Sequence, residues 1–142
     1  DELRRTIRGL KAAALGERSL ERALRAEFKL MADAGIKGKL TLGPGAQRLS
    51  RGARQLCWQV AREALSNVIR HSHASRVEVA ISRRRGSALI SIADDGCGIP
   101  SKIGQTGGLG GLTERLRMTG GNLAIDSAPG ATRIVAEIPE LK

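Results

Sequence analysis

The sequence predicts an α+β two-layer sandwich, in which helices cover one face of a mixed, mainly antiparallel sheet. Helical stretches carry apolar residues three and four positions apart, and alternating stretches come in pairs joined by glycine turns. Pairs of this kind form hairpins rather than the crossovers of a parallel sheet. The 142 residues, 41% of them hydrophobic, suit one domain with a substantial core. The core is expected to be aliphatic, since the chain has one Trp, one Phe and no Tyr.

The N-terminal half is predicted to contain three helical stretches and a short strand. Residues 1–12 are typical of the end of a basic amphipathic helix, and residues 17–33 form a second helix that Gly35 ends. The apolar face of the second helix comprises Leu20, Ala23, Leu24, Phe28 and Met31. A short strand at 39–42 precedes a long helix at about 47–70. The apolar side of that helix comprises Leu56, Val60, Leu65 and Val68.

The C-terminal half is predicted to hold two hairpins separated by a helix. Strands at 76–82 and 88–93 flank Gly86, and strands at 123–127 and 132–138 turn at Pro129-Gly130. Between the hairpins, residues 99–111 are expected to form a glycine-rich connection, with a helix at about 112–119.

Composition argues against several classes of function. The net charge is +10, but the arginines are scattered, and the one cluster, Arg83–Arg85, falls at an expected turn. With so few aromatic residues for stacking, direct nucleic-acid binding is not expected. No apolar run is long enough for a membrane helix, and no signal peptide is visible. Two cysteines without framework spacing favour a reducing compartment, and the start at Asp1 suggests a piece of a longer protein.

A polar stripe on the long helix is the first candidate site. Glu63, Asn67 and His71 fall four residues apart and therefore share one face, which we expect to lie outside the core. The Asn67 carbonyl is a hard oxygen suited to Mg²⁺, the Glu63 carboxylate could orient an attacking group, and Arg70 could meet phosphate. The alternative is an ordinary solvated helix face.

The second candidate is the turn Asp94-Asp95-Gly96-Cys97-Gly98, which follows a predicted strand. A carboxylate held at a strand end could accept a hydrogen bond from an adenine amino group, and the glycines would let the base approach the backbone. By itself the segment also suits a simple turn. Cys97 is interpreted as a small filler, because no base is placed to activate it.

The third candidate is the glycine-rich segment at residues 107–111. Ordering four glycines in five residues costs entropy that a helix cap does not require, so we expect a mobile lid whose N–H groups meet phosphate before a helix begins. Neither a P-loop nor the dinucleotide fingerprint matches this spacing. A zinc site at His71 and His73 is not predicted, since two ligands fall short of the usual four.

Together, these segments resemble the N, G1 and G2 boxes of the Bergerat (GHKL) ATP-binding fold. The stretches 63–71, 94–100 and 108–116, with 121–133 near the end of the chain, are similar to sensor histidine kinases of the nitrate and hexose-phosphate sensor type. The resemblance runs from about residue 3 to residue 139. It assigns residues 1–15 to the tail of a dimerisation helix and residues 16–142 to the ATP-binding catalytic domain.

The resemblance implies a role for each matching residue. Asn67 would coordinate Mg²⁺, Glu63 would assist phosphoryl transfer, and Arg70 and His71 would lie near the phosphates. Asp94 would bind the adenine amino group. The remaining ATP-binding positions would be Gly96 and Gly98 in the adenine pocket, Thr132 beside the adenine, and Gly108, Leu109, Gly110 and Gly111 at the end of the lid.

For the whole protein, the resemblance implies a homodimeric kinase that transfers the γ-phosphoryl group of Mg-ATP to a histidine on its own dimerisation helix. A response regulator of the DNA-binding type would then receive the group. That acceptor histidine lies outside this chain, so the chain alone is not expected to phosphorylate itself. The domain would be cytoplasmic, with any anchor in the bacterial inner membrane supplied by upstream segments.

Two alternatives remain open from the sequence. One is a serine kinase of the anti-sigma-factor type within the same fold. The other is a basic interaction module that has lost nucleotide chemistry.

Overall fold

The computed structural model of the chain describes residues 15, 19–96, 108–128 and 130–140, with side chains omitted at 71, 72, 108 and 109. Predictions for residues 1–12, for the connection up to residue 107, and for Cys97, Gly98 and Pro129 lie outside this part. So does nearly all of the segment assigned to a dimerisation helix, and the boundary after residue 15 stays a prediction.

The described residues form one five-stranded sheet and three α-helices. The helices are α1 (Leu20–Asp33), α2 (Arg51–Asn67) and α3 (Gly108–Met118). The strands are β1 (Lys37–Leu42), β2 (Arg76–Arg84), β3 (Ser87–Asp94), β4 (Asn122–Ala128) and β5 (Ala131–Pro139). Across the sheet the order is β1-β2-β3-β5-β4. Only the β1–β2 pair is parallel, and the other three neighbours are antiparallel. The predicted α+β sandwich with a mixed, mainly antiparallel sheet is confirmed.

All three helices lie on the same face of the sheet. Helix α1 packs on β1, α2 packs on β3 and β5, and α3 packs on α2 and β4. The core between the layers is built almost wholly from aliphatic residues, with Trp58 and Phe28 as its aromatic members. Strand β5 alternates strictly between buried and exposed residues, as a strand covered on one side must. In the described part of the chain, no helix has the length and apolarity needed to cross a bilayer.

Helix α1 follows its prediction closely. Ser19 caps its N-terminus by accepting a hydrogen bond from the Arg22 N–H, and the predicted apolar face is buried. After Asp33 the chain turns at Gly35, whose φ of 83° lies in the left-handed region that glycine adopts without strain.

Helix α2 begins later than predicted and is buried over more of its surface. A 3₁₀ turn occupies Ala46–Arg48, and the Ser50 hydroxyl caps α2 by accepting a hydrogen bond from the Ala53 N–H at 3.1 Å. Of the predicted apolar side, Val60, Leu65 and Val68 are buried, whereas Leu56 is only partly buried. The further buried apolar residues are Ala53, Cys57, Trp58, Ala61 and Ala64. Because α2 packs on the sheet and also contacts both other helices, residues on several of its sides meet protein.

Helix α2 does not end directly in a loop. The chain continues as one π-helical turn, Val68–Ser72, and then enters the left-handed region at His73, with a φ of 53°. Wider turns of this kind occur often at functional sites. The predicted stripe of Glu63, Asn67 and His71 requires α-helical spacing throughout. The π-helical turn interrupts that spacing after Asn67.

Both predicted hairpins are present, and their strands are slightly longer than expected. The β2–β3 turn consists of Arg85 and Gly86, whose φ values are 52° and 77°. Two positive φ values match a type I′ turn, which suits the twist of a hairpin. Helix α3 differs from its prediction, because it starts at Gly108 rather than near residue 112. The last four residues of the predicted connection are therefore helical.

Candidate nucleotide-binding site

Asn67 is a deeply buried polar residue of the candidate site. It lies at the end of α2 with 2% of its surface exposed. Its Oδ1 accepts a hydrogen bond from Arg70 Nη2 at 3.2 Å, whereas its Nδ2 is buried and has no hydrogen-bond partner among the described residues. The expectation that this stripe lies outside the core is wrong for Asn67. Burying an amide with an unpaired nitrogen is costly, so packing alone is a poor reason for an asparagine here.

Arg70 connects the two other polar groups of the stripe. Its Nη2 lies 4.0 Å from Glu63 Oε1 and also donates to Asn67 Oδ1. The Arg70 Nε donates to the carbonyl oxygen of Ser66 at 3.4 Å. Glu63 and Asn67 sit one helical turn apart as predicted, and Arg70 lies in the π-helical turn. The three side chains therefore form one half-buried cluster. The side chain of His71 is outside the described part.

Asp94 lies at the end of β3 and faces the helical layer. It continues the alternation of Ile90 and Ile92, both of which are buried on that face. Its Oδ1 accepts a hydrogen bond from the Gly96 N–H at 2.8 Å. Burial raises the pKa of the Asp94 carboxyl, an effect that the Gly96 bond opposes and the neighbouring Asp95 charge reinforces. Among the described residues, no hydrogen bond is made to Oδ2, so this oxygen can accept one from a ligand.

Thr132 lies directly beside Asp94 in the sheet. The two residues are register partners in the β3–β5 ladder. Thr132 is 2% exposed, and its Oγ1 is 3.2 Å from the Ser127 hydroxyl. A buried hydroxyl next to the Asp94 carboxylate extends the polar surface at this end of the helix-covered face.

The end of α2 and the end of β3 lie at the same end of the molecule. The Ser50 N–H donates to Glu140 Oε1 at 2.7 Å, which joins the start of α2 to the residue after β5. From there α2 runs back along β5 for 17 residues, or roughly 25 Å. The rise from Pro139 back to Thr132 is similar, at roughly 24 Å. Asn67 therefore reaches the end of the sheet where Thr132 and Asp94 lie, on the face that both of them line.

The glycine positions are only partly described. The Gly96 carbonyl accepts a hydrogen bond from the Gly130 N–H at 2.8 Å, which fixes the turn after Asp94 against the second hairpin. The stretch Gly108, Leu109, Gly110 and Gly111 forms the first turn of α3, where backbone N–H groups lack helical partners. A Cβ on Gly111 would meet nothing within 4 Å, so contacts among the described residues do not require glycine there.

Asp95 is a residue that the sequence reasoning passed over. Its carboxylate accepts hydrogen bonds from the Ser75 N–H at 2.8 Å, the Ser75 hydroxyl at 2.6 Å and the Arg76 N–H at 3.0 Å. These bonds lower its pKa to about 2, with the Ser75 hydroxyl as the largest cause. Two consecutive acids after a strand must point to opposite faces, and this alternation was the signal available in the sequence.

Comparison with known proteins identifies the family. The sequence pattern of the histidine kinase-, DNA gyrase B- and HSP90-like ATPases matches residues 52–142. The chain belongs to this family of ATPases. The matched stretch contains α2, both hairpins and α3, and thus every residue of the candidate site.

Sensor histidine kinases are the relatives within that family. The chain is 31% identical, over 99% of its length, to the signal transduction histidine-protein kinase/phosphatase UhpB of Salmonella typhimurium. It is also 31% identical, over 98% of its length, to the sensor histidine kinase MctS of Rhizobium johnstonii. A stretch of 42 residues is 45% identical to the nitrate/nitrite sensor protein NarX of Escherichia coli, covering 30% of the chain and 7% of NarX. The chain spans 28% of UhpB and 32% of MctS. The expected resemblance to sensor histidine kinases is confirmed.

Solved structures agree on the fold. The histidine kinase domain of a blue-light activated histidine kinase from Erythrobacter litoralis matches with a TM-score of 0.68 at 19% identity, over 84% of this chain and 58% of that one. The histidine kinase AdeS of Acinetobacter baumannii matches with a TM-score of 0.65 at 18% identity, over 87% and 64% of the two chains. These structures show that the chain has the fold of histidine kinase domains, and its membership of the ATPase family implies ATP binding.

Proposed function

We propose that this domain binds Mg-ATP between the end of α2 and the end of β3, and that it donates the γ-phosphoryl group to a histidine of the protein to which it belongs. The observation that carries the proposal is that Asn67 and Asp94 lie at the same end of the helix-covered face. Asn67 is a buried amide that accepts a hydrogen bond from Arg70, and Asp94 is a half-buried acid whose Oδ2 accepts no hydrogen bond from the described residues.

The adenine end of the site is assigned to Asp94. Its Oδ1 is already engaged by the Gly96 N–H, so Oδ2 is the oxygen left to accept a hydrogen bond from the adenine amino group. The turn at Gly96 keeps the carboxylate in this orientation. Thr132, Asp94's neighbour in the ladder, supports the same side of the pocket, and Gly98 would complete it.

The phosphate end is assigned to the cluster around Asn67. The residues fit Mg²⁺, because the Asn67 amide oxygen is a hard ligand that already interacts with a cationic group, the Arg70 guanidinium. No group of three or more acids, histidines or cysteines that could hold a metal occurs among the described residues. The Asn67 oxygen therefore suits a Mg²⁺ ion whose other ligands are phosphates and water. When bound, the ion neutralises charge on the phosphates.

The protein residues supply positioning and charge. Arg70 carries its positive charge beside Asn67 and is assigned to contact a phosphate, with His71 assigned nearby. The Glu63 carboxylate, one turn before Asn67, is assigned to orient the acceptor group or take its proton. The first turn of α3, with Gly108, Leu109, Gly110 and Gly111, is assigned to the triphosphate, because its backbone N–H groups have no acceptor within the helix. Phosphoryl transfer depends mainly on such positioning and electrostatic stabilisation.

The activity of the whole protein follows from this assignment. The acceptor histidine is proposed to lie on a dimerisation helix outside this chain, so that the working kinase is a homodimer. A response regulator, which we propose to be of the DNA-binding type, receives the phosphoryl group. The domain is proposed to work in the cytoplasm, with any membrane anchor supplied by other segments.

Two measurements test the proposal. A fluorescent ATP analogue should bind the domain more tightly with Mg²⁺ than with EDTA. Absence of Mg²⁺-dependent binding at millimolar nucleotide would favour the basic interaction module instead. Incubation with γ-labelled ATP should leave the isolated domain unlabelled, whereas a longer chain that includes the upstream helix should become labelled on histidine. Stable label on the isolated domain would contradict the placement of the acceptor.

A further inference from the structure

The Asp95 carboxylate reinforces the end of the β2–β3 ladder, where the Asp95 N–H also donates a hydrogen bond to the Arg76 carbonyl at 3.4 Å. Pairing between β2 and β3 ends at Val77 and Asp94. Beyond that pair, Asp95 Oδ1 accepts from the backbone N–H groups of Ser75 and Arg76, and Asp95 Oδ2 accepts from the Ser75 hydroxyl. One exposed side chain thus continues the connection between the strands by three hydrogen bonds. Such charge-assisted bonds are stronger than neutral ones.

The segment that Asp95 holds leads directly from the phosphate end of the site. Asn67 ends α2, Arg70 lies in the π-helical turn, and the chain passes through the left-handed residue His73 to reach Ser75. The Ser75 carbonyl also accepts a hydrogen bond from the Lys37 N–H at 2.9 Å, at the start of β1. Ser75 is therefore a residue at which the chain leaving α2 is fixed to the sheet, through hydrogen bonds with both Lys37 and the Asp95 carboxylate.

The two consecutive aspartates face opposite ways. Asp94 points into the helical layer, where the adenine is proposed to bind, whereas Asp95 is exposed and points to Ser75. Asp95 thus does not touch the proposed nucleotide. Its backbone follows that of Asp94 directly, so its carboxylate ties the adenine-binding acid to the segment that carries Asn67 and Arg70.

We infer that Asp95 is a positioning residue, which sets the place of Asn67 and Arg70 relative to Asp94 and so allows one nucleotide to reach both ends of the site. This inference rests on the proposed function. It predicts that loss of the Asp95 carboxylate weakens the interactions at the phosphate end, which depend on the segment after α2, more than those at the adenine end.

The test compares the binding of a fluorescent ATP analogue in Mg²⁺ and in EDTA. Asp95→Ala should weaken binding about 10-fold in Mg²⁺ and less than about threefold in EDTA, because the metal-dependent part needs Asn67 in place. Asp95→Asn should restore most of the affinity, since its amide oxygen can still accept from the Ser75 and Arg76 N–H groups. Ser75→Ala removes only the hydroxyl bond and should give an intermediate loss.

The matched control is Asp126→Ala, which removes an exposed acid from β4 and should leave both affinities unchanged. If Asp95→Ala does not fold, Ser75→Ala carries the same comparison, with Asp95→Asn as the variant expected to stay near the wild type. Equal loss of affinity in Mg²⁺ and EDTA, or a lower melting temperature with unchanged affinities, would overturn the positioning role and leave the proposed function standing. A wild-type domain without Mg²⁺-dependent binding would overturn both.

Discussion

Replacing Asp94 by Asn should separate nucleotide binding from stability. In the wild type, the Gly96 N–H occupies Oδ1 at 2.8 Å and leaves Oδ2 for the ligand. In Asp94→Asn, the single amide oxygen is the only group that can accept from Gly96, so the amide nitrogen faces the ligand. A donor then meets the adenine amino group, which is also a donor, and the hydrogen bond is lost.

The expected loss can be worked out from the bond removed. A hydrogen bond to a charged group contributes about 1.5–3 kcal/mol. At about 1.4 kcal/mol per tenfold change in affinity, the dissociation constant should rise roughly 10- to 150-fold. Stability should not fall, because burial raises the pKa of the wild-type carboxyl, meaning that its charged form is disfavoured in the folded protein. Asn has no charge to bury and keeps the Gly96 bond.

Two assays on the same preparation check this expectation. Titration with a fluorescent ATP analogue gives the affinity, and thermal unfolding without nucleotide gives the melting temperature. Asp126→Asn is the isosteric control on an exposed strand position and should match the wild type in both assays. Wild-type affinity in Asp94→Asn would refute the assignment of the adenine end, and a large fall in melting temperature would refute the account of its burial.

Three further predictions concern the rest of the domain. Asn67→Asp should shift the Mg²⁺ concentration for half-maximal nucleotide binding several-fold, and an unchanged Mg²⁺ titration would contradict the proposed ligand. The pKa of Asp95 is lowered from 3.8 to about 2, so its contribution to stability is present above about pH 4 and lost as the pH falls toward 2. Acid titrations of the wild type should show that loss, and those of Asp95→Ala should not. Burial, with a smaller effect of the Glu140 charge, raises the pKa of Cys57 to about 12, so a thiol reagent at pH 8 should label it only after denaturant unfolds the domain.

Much of the local structure could be predicted from short stretches of sequence. The buried face of α1 follows from its apolar spacing, and the first hairpin follows from alternation on either side of Gly86. The one-turn spacing of Glu63 and Asn67 was likewise visible, because it depends only on helical geometry. The roles assigned to these residues and to Asp94 stay predictions, since they concern a ligand.

What the sequence determined by itself is the type and order of the elements, because backbone preference and apolar period act over a few neighbouring residues. Tertiary structure alone decided that β1 pairs in parallel with β2, that β5 lies between β3 and β4, and that Asn67 is buried. It also decided that α3 begins among glycines and that Asp95 bonds to Ser75, 20 residues earlier in the chain. Each of these features depends on contacts between residues far apart in sequence, which no local pattern encodes.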